Sequence, residues 1–468
     1  MFEEIIVEAG AYVQKPPRSW RERLARILQK SSPEFTPARL FKAGEPSLED
    51  AFAVARQLTA AGVLKRIRVN EPLPDSPKFF GYTTDGAGGI DFFSKEKALW
   101  AAVAERLERH IWRESTDYFR KPRTLSIREA LRKGALDPDL VVGHTRQDRA
   151  AHPYLSYSPD STFLWAEAWS YADNKRKLIP AQLFSRAWFR AAVEEKKQEP
   201  IIRELVSTGL AAGQTFEEAV LRGFLEVIER DAFMVSYLNE LTLPRLDLER
   251  LAEDDHELRK VLASFDRYLL EPHAVLLLSD FGIPVVWGIL LDRTGKGPAV
   301  CVGAKASFSL REALLGALSE SLAVHIGERW RKKTELPEKT RFGRESRLVW
   351  WALPEQLPRI EPFLKGPVVV PAAEKELQTL ERASAQERLS YVIERCRAKG
   401  YDALAVDMSR AECNTTNIKV AFTLIPQLQP LHLNERHPFF EGERLSSVPK
   451  QFGYEPRKET FKEPHPFP

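Results

Sequence analysis

The chain has 468 residues, 43% hydrophobic and 29% charged, which is ordinary for a soluble globular protein with a large core. Its formal net charge of +3 is too small to argue for a nucleic-acid partner. No apolar run approaches the roughly 18 residues of a membrane span, the acidic start Met1-Phe2-Glu3-Glu4 does not read as a signal peptide, and Cys301, Cys396 and Cys413 lack metal or redox spacing, so a cytoplasmic, reducing location is expected.

In chain order, residues 1–58 read as a helical appendage, with a basic run from Trp20 to Lys30 taken as a solvated face and an amphipathic stretch from Ser47 to Ala61. A main domain is expected over residues 59–445. It opens with the strand-like run Val63 to Val69 and a Pro-rich link to Gly81. A turn and helix follow over Gly86 to Trp112, then two strands, Thr162 to Ser170 and Arg176 to Phe184, on either side of Asn174. Ser207-Thr-Gly-Leu-Ala-Ala-Gly-Gln-Thr215 leads into a second helix through Arg230, and Thr215 with Glu218 has the spacing of a capping box. Asp247 to Tyr268 reads as helical. Ala274 to Ser279, Val285 to Leu291 and Ala299 to Val302 read as strands, the last two joined through the turn Arg293 to Gly297 and feeding a third helix. Glu335 to Pro371 reads as a linker or peripheral lobe, Glu374 to Lys399 as one long helix, and Ala403 to Asp407 and Ile418 to Ile425 as strands. Residues 446–468 form a tail ending in Pro464-His-Pro-Phe-Pro468, either a disordered remnant or a stiff polyproline-like peptide that docks.

The three turn-helix stretches share a pattern. Gly209, Thr215, Ala219, Glu226, Glu229 and Arg230 align with Gly88, Ser94, Ala98, Glu105, Glu108 and Arg109, and the first four align with Gly303, Ser309, Ala313 and Glu320. A solvated helix face gives no reason for a carboxylate to return at the same depth three times, whereas a shared site does. Glutamates gathered at one centre repel and need cations between them, and hard oxygen ligands on helices suit Mg²⁺, which commonly brings phosphate with it. The third copy has Ala323 and Val324 in place of the second Glu and the Arg, so it offers one ligand. His144, His152 and His325 have no zinc spacing and read as surface or packing residues. Lys305 reads as solvated, with reach to a phosphate as the alternative, and for Arg436 and Arg444 a phosphate and the terminus are equal alternatives.

These features together resemble the YcaO family, in particular its azoline-forming cyclodehydratases. The likeness covers about residues 60–440 and the terminal Pro464-x-Pro466-x-Pro468. It implies an α+β fold in which three repeated strand-turn-helix units converge on ATP and Mg²⁺. By position, Glu105, Glu108, Glu226, Glu229 and Glu320 would bind metal, Arg230 would face the phosphates, and Ser207, Gln214 and Glu218 would contact the nucleotide. The implied chemistry is addition of a Cys, Ser or Thr side chain of a ribosomal precursor peptide to the preceding carbonyl, followed by phosphorylation of the oxygen and closure to an azoline. The Pro468 carboxylate or His465 would move the proton. Thioamide or amidine formation, or a non-catalytic ATP-binding scaffold, are the alternatives. The likeness also implies a separate ThiF-like, leader-binding partner protein and is compatible with a homodimer. Ala101, Arg222 and Gly316 stand where the family often has Ser, Ala323 stands where it often has Gln, and Gly86-Ala87-Gly88 lacks a frequent Lys. These departures leave the carboxylates intact and bear on nucleotide affinity.

Overall fold

The computed structural model describes residues 48–70, 79–114, 121–196, 198–329, 342–372, 374–410 and 418–468, with a few single positions between these segments. The basic run Trp20 to Lys30 and the rest of the appendage before Leu48 lie outside them.

The described residues form three sheets. Strands β1 (Ile67–Asn70), β2 (Phe80–Thr84) and β3 (Gly88–Asp91) form an antiparallel meander. A six-stranded sheet runs β4 (Arg123–Ser126), β5 (Thr162–Ser170), β13 (Leu404–Asp407), β14 (Lys419–Leu424), β7 (Leu210–Gly213), with β6 (Lys175–Pro180) paired to β5. The third has the order β11 (Val300–Ala306), β10 (Val285–Asp292), β9 (Leu270–Leu276), β8 (Arg245–Leu246), β12 (Val368–Val369). The hairpin read from sequence around Arg293 to Gly297 joins β10 to β11, in register from Val285 opposite Ala306.

Of the helices, α1 (Leu48–Ala60) packs Ala51, Val54, Ala55 and Leu58 into the same core cluster as Leu99, Ala102 and Val103 of α2 (Lys95–Glu114). Helix α3 (Phe216–Leu238) buries residues on every side, as a central helix must. It packs on β7 and β14 of one sheet and β11 of another. Helix α4 (Leu310–Glu328) lies on β10 and β11. All three start at a hydroxyl: Ser94 Oγ accepts from Lys97 N, Thr215 Oγ1 from Glu218 N, and Ser309 Oγ from Glu312 N. The box expected at Thr215 is half formed, because the Glu218 carboxylate reaches one residue further back and accepts from Gln214 N at 3.0 Å.

Two expected helices are broken. Asp247 to Tyr268 divides into Leu248–Asp254 and His256–Arg267, because Asp255 accepts from Glu257 N and Leu258 N and so starts a new helix. Glu374 to Lys399 divides into Lys375–Arg382 and α5 (Ala385–Ala398), where Ser384 and Glu387 form a complete capping box. The segment read as a linker is not peripheral in its described part: helix Arg344–Trp351 and the turn after it bury Trp350, Trp351, Ile360 and Phe363 in the core that holds α3.

The approach of α3 to its sheet depends on two glycines. Gly209 has φ +92°, a left-handed backbone that side chains resist, and its carbonyl accepts from Thr423 N at 2.8 Å. Gly223 lies over that contact: a Cβ there would stand 2.6 Å from both Gly209 O and Thr423 Oγ1. Gly223→Ala is therefore expected to lower unfolding stability by about 1–3 kcal/mol in a denaturant titration; unchanged stability would contradict this packing.

Candidate active site

Each of the three helices ties its first glutamate to the strand before it or, for α3, to the turn that enters that strand. Glu105 Oε2 accepts from Gly88 N at 3.0 Å, Glu226 Oε2 from Gly209 N at 3.0 Å, and Glu320 Oε2 from Ala304 N at 2.9 Å. The second glutamates do something different, because each crosses to the next unit. Glu108 Oε1 accepts from Ala212 N in β7 at 2.6 Å, and Glu229 Oε2 from Ala306 N in β11 at 2.9 Å. Helix α4 has Ala323 at that depth and packs against β3, where Ser319 Oγ lies 3.5 Å from Ile90 O. The three helices thus close a ring, fastened at two junctions by carboxylates.

Arg230 stands at the centre. Its guanidinium pairs with Glu229 at 3.0 Å, Glu226 at 3.7 Å and Glu320 at 3.9 Å. Burial works against its charge, but Glu229, Glu320 and Glu226 outweigh that and raise its pKa. Arg109, the counterpart on α2, pairs with Glu105 at 2.5 Å and donates to Gly86 O.

Two guanidinium groups do not balance these five acids. Burial pushes the Glu108 carboxyl up to about 8, with Glu105 and Glu226 adding to the effect and the Ala212 N–H opposing it. Glu320 is pushed up to about 7 by burial and Glu229 against the pull of Arg230. Burial and Glu229 also raise Glu226. Carboxylates that resist ionising because too few cations face them make a donor set suited to a hard divalent ion. Mg²⁺ fits these residues, and Lys305, exposed on β11, adds positive potential at Glu226 and Glu320.

The proline-rich tail is docked, not loose. Pro464 O accepts from Tyr237 Oη and Trp351 Nε1, both at 2.9 Å, and the His465 Nε2 lies 2.7 Å from His432 O. Phe467 is fully buried against Phe233, and the Arg230 guanidinium sits 3.9 Å from its ring centre. The end of the chain therefore reaches the carboxylate cluster through Phe467. Burial, together with Arg347 and His432, holds the His465 pKa well below the ordinary value, so the ring is neutral and Nε2 donates to the His432 carbonyl.

Ser207 is exposed in the turn before β7, and Gln214 is half-buried at the start of α3. Glu218 holds Gln214 N and pairs with Arg222 at 2.5 Å, so Gln214 and Glu218 border the second helix's N-terminus, while Ser207 lies at the other end of β7, near the depth of Glu226. Arg444, left open in the sequence, makes bidentate bonds to Asp231 at 2.6 and 2.7 Å and also binds Asp280. It fixes the residue next to Arg230. Arg436 is exposed. Sequence reasoning missed this pairing, the supports Tyr237, Trp351 and His432, and the crosswise bonds of Glu108 and Glu229; the adjacency of Asp231 to Arg230 was the one available signal.

A family model described as YcaO cyclodehydratase, ATP- and Mg²⁺-binding, matches residues 92–429. Similar solved structures include a heterocyclase in complex with substrate and cofactor, with TM-score 0.72 and 19% identity, covering 88% of this chain and 57% of that one. YcaO from Methanopyrus kandleri bound with AMPPCP and Mg²⁺ gives TM-score 0.56 and 16% identity, covering 84% and 95%. The E. coli microcin synthetase McbBCD complex with pro-MccB17 bound gives 0.58 and 13%, covering 86% and 96%. At these identities the likeness is one of fold. Sequence relatives include an uncharacterized protein of Methanothermobacter thermautotrophicus, 24% identical over 250 residues, and one from the tfuA 3′ region of Rhizobium leguminosarum bv. trifolii, 26% identical over 297. The alignments cover 52% and 61% of this chain and span 59% and 64% of those relatives. No helix among the described residues is long and apolar enough to cross a membrane.

In the metal-free protein, Glu108 and Glu320 keep protons in the folded state that they lose when unfolded. Their contribution to stability is thus full below the unfolded pKa of 4.5 and is lost as pH rises toward about 8 for Glu108. Thermal melts of metal-free wild type and Glu108→Gln are expected to diverge between about pH 5 and about pH 8, with the variant increasingly the more stable. Parallel curves would contradict the crowding of carboxylates.

Proposed function

The chain belongs to the YcaO family, and from that premise we propose an ATP- and Mg²⁺-dependent cyclodehydratase that converts Cys, Ser or Thr of a ribosomally made precursor peptide to thiazoline or oxazoline. The observation that carries this reading is the gathering of Glu226, Glu229 and Glu320 on Arg230, with Glu105 and Glu108 adjoining and Phe467 of the tail on the guanidinium.

Bound ATP with Mg²⁺ supplies a transferable phosphoryl group whose charge the metal neutralises. In this proposal the five carboxylates would hold the metal, whose charge would offset the repulsion that raises the Glu108 and Glu320 pKa, and Arg230 would be the cation available to phosphate oxygens. In this proposal Gln214 and Glu218 would hold the nucleotide from the start of α3, and Ser207 from the turn before β7. The peptide side chain loses its proton and adds to the preceding carbonyl carbon. The resulting oxyanion would take the γ-phosphoryl group from ATP with ADP as the leaving group, the amide nitrogen would give up its proton, and phosphate would depart as the C=N bond forms. No side chain of the protein need become covalently attached.

Two protons must leave the peptide. His465 is a poor acceptor, since it is fully buried and burial, Arg347 and His432 hold its pKa well below the ordinary value. It holds the tail in place, and in this proposal the Pro468 carboxylate, half-exposed three residues further on, takes the proton-accepting part. The peptide's leader would be gripped by a separate ThiF-like partner, a division of labour in keeping with the microcin synthetase, which is a complex of several chains.

The test is the mass of a precursor peptide after incubation with this protein, its partner, ATP and Mg²⁺. One water is expected to be lost per modified residue, and Glu226→Gln is expected to abolish the loss. Unchanged peptide alongside intact nucleotide binding would overturn the proposal and favour a scaffold; exchange of oxygen for sulfur when sulfide is supplied would assign thioamide formation instead.

A further inference from the structure

His144 and His152, which sequence spacing gave no reason to join, meet His437 from the far end of the chain. The ligand-capable atoms of Asp148, His152 and His437 all lie within 4.8 Å of one another. The short helix Arg146–Ala151 sets up this arrangement. Thr145 caps it by accepting from Asp148 N, and the same hydroxyl donates to Asp148 Oδ2 at 2.6 Å, which leaves Oδ1 facing His437 Nδ1 at 3.3 Å. His152 ends the helix, with its Nδ1 3.1 Å from the Asp148 carbonyl. That contact puts the ring proton on Nδ1 and leaves the Nε2 lone pair open. His437 Nε2 is 3.0 Å from Tyr154 Oη, so its other nitrogen is the one turned to the cluster.

These are the outer bonds that orient metal-binding imidazoles, with the remote nitrogen held by a carbonyl or hydroxyl and the near one left to coordinate. A plain hydrogen-bonded cluster accounts for His437 but not for His144. That ring is 6% exposed, 5.8 Å centre to centre from His437, and neither of its nitrogens has a hydrogen-bond partner among the described residues. Burial and the neighbouring His437 push its pKa down to about 4, so it is a neutral ring carrying an unused lone pair. Arg149, on the same helix, is turned to Asp139 and the Tyr157 ring.

We propose that Asp148 Oδ1, His152 Nε2 and His437 Nδ1 bind a Zn²⁺ ion, with His144, whose nitrogens stand outside that cluster, turning in as the fourth ligand. Two or three imidazoles and a single carboxylate favour a borderline ion such as Zn²⁺ over Mg²⁺, whereas the carboxylate cluster around Arg230 offers oxygens alone. The two centres share no residue. The zinc site is a clamp between distant parts of the chain. It would fasten the segment from His144 to Tyr154, already bonded to the C-terminal region through Arg146 N to Glu441 and Val142 N to Pro426 O, onto the stretch that carries His432, the residue holding His465 of the tail.

The experiment is a titration of Zn²⁺ alone into the chelator-treated full chain, read by competition with a chromogenic chelator, for wild type, His152→Gln, His437→Gln and the double variant. Wild type is expected to bind about one equivalent, with affinity falling roughly ten- to hundred-fold or more in each single variant. Glu226→Gln should bind zinc as wild type does. A wild type that takes up no zinc, or a double variant that keeps wild-type affinity, overturns the site. If the variants fail to fold by circular dichroism, Co²⁺ bound to the wild type decides. Intense visible bands of a four-coordinate nitrogen-rich site support the clamp, and the weak bands of an octahedral oxygen site overturn it.

Discussion

The protein is organised around the bonds that carboxylates on three helices make to backbone N–H groups of three strands. A glutamate in a helix interior facing other glutamates is costly unless something holds it. Here each first glutamate is held by its own strand or the turn that enters it, and Glu108 and Glu229 are held by the strand of the next unit. The same bonds that stabilise the acids fix the helices to one another, so the geometry of the charge cluster and the packing of the fold are one problem. Arg230 closes it by pairing with three of the acids while lying on the Phe467 ring.

The pattern of the three units was legible because helical periodicity puts residues spaced three and four apart on one face and because hydroxyl residues mark helix starts. Ser94, Thr215 and Ser309 do cap the three helices. The breaks at Asp255 and Ser384 carried the same kind of signal, Ser384-x-x-Glu387 above all, but apolar periodicity continued across both and hid it. The crosswise bonds were not legible. Glu108 meets Ala212 and Glu229 meets Ala306, and the acceptor's partner in each case is a backbone group that has no identity in sequence. Arg444 and His437 were opaque for a related reason, since their partners Asp231 and Asp148 lie far along the chain.

The tail shows how a sequence reading with two outcomes is resolved by packing. Alternating prolines lower the entropy lost on docking, but they do not say where docking happens. Aromatic and polar supports decide that: Tyr237 and Trp351 both donate to Pro464 O, and Phe233 meets Phe467. Tyr237, Phe233 and Arg230 are all on α3, so one buried helix carries the central cation and the seat of the terminus. The departures from the family pattern at Ala101, Arg222, Gly316 and Ala323 leave these contacts intact. Lys305, lying along Gly316, is a cation that the small residue makes room for.

A shared Mg²⁺ and nucleotide centre among α2, α3 and α4 is tested most directly by a crystal structure with Mg²⁺ and a non-hydrolysable ATP analogue. Metal ions are expected on oxygens of Glu105, Glu108, Glu226, Glu229 and Glu320, with Arg230 against phosphate. Nucleotide and metal bound elsewhere, with Arg230 still paired to Glu226, Glu229 and Glu320, would contradict it.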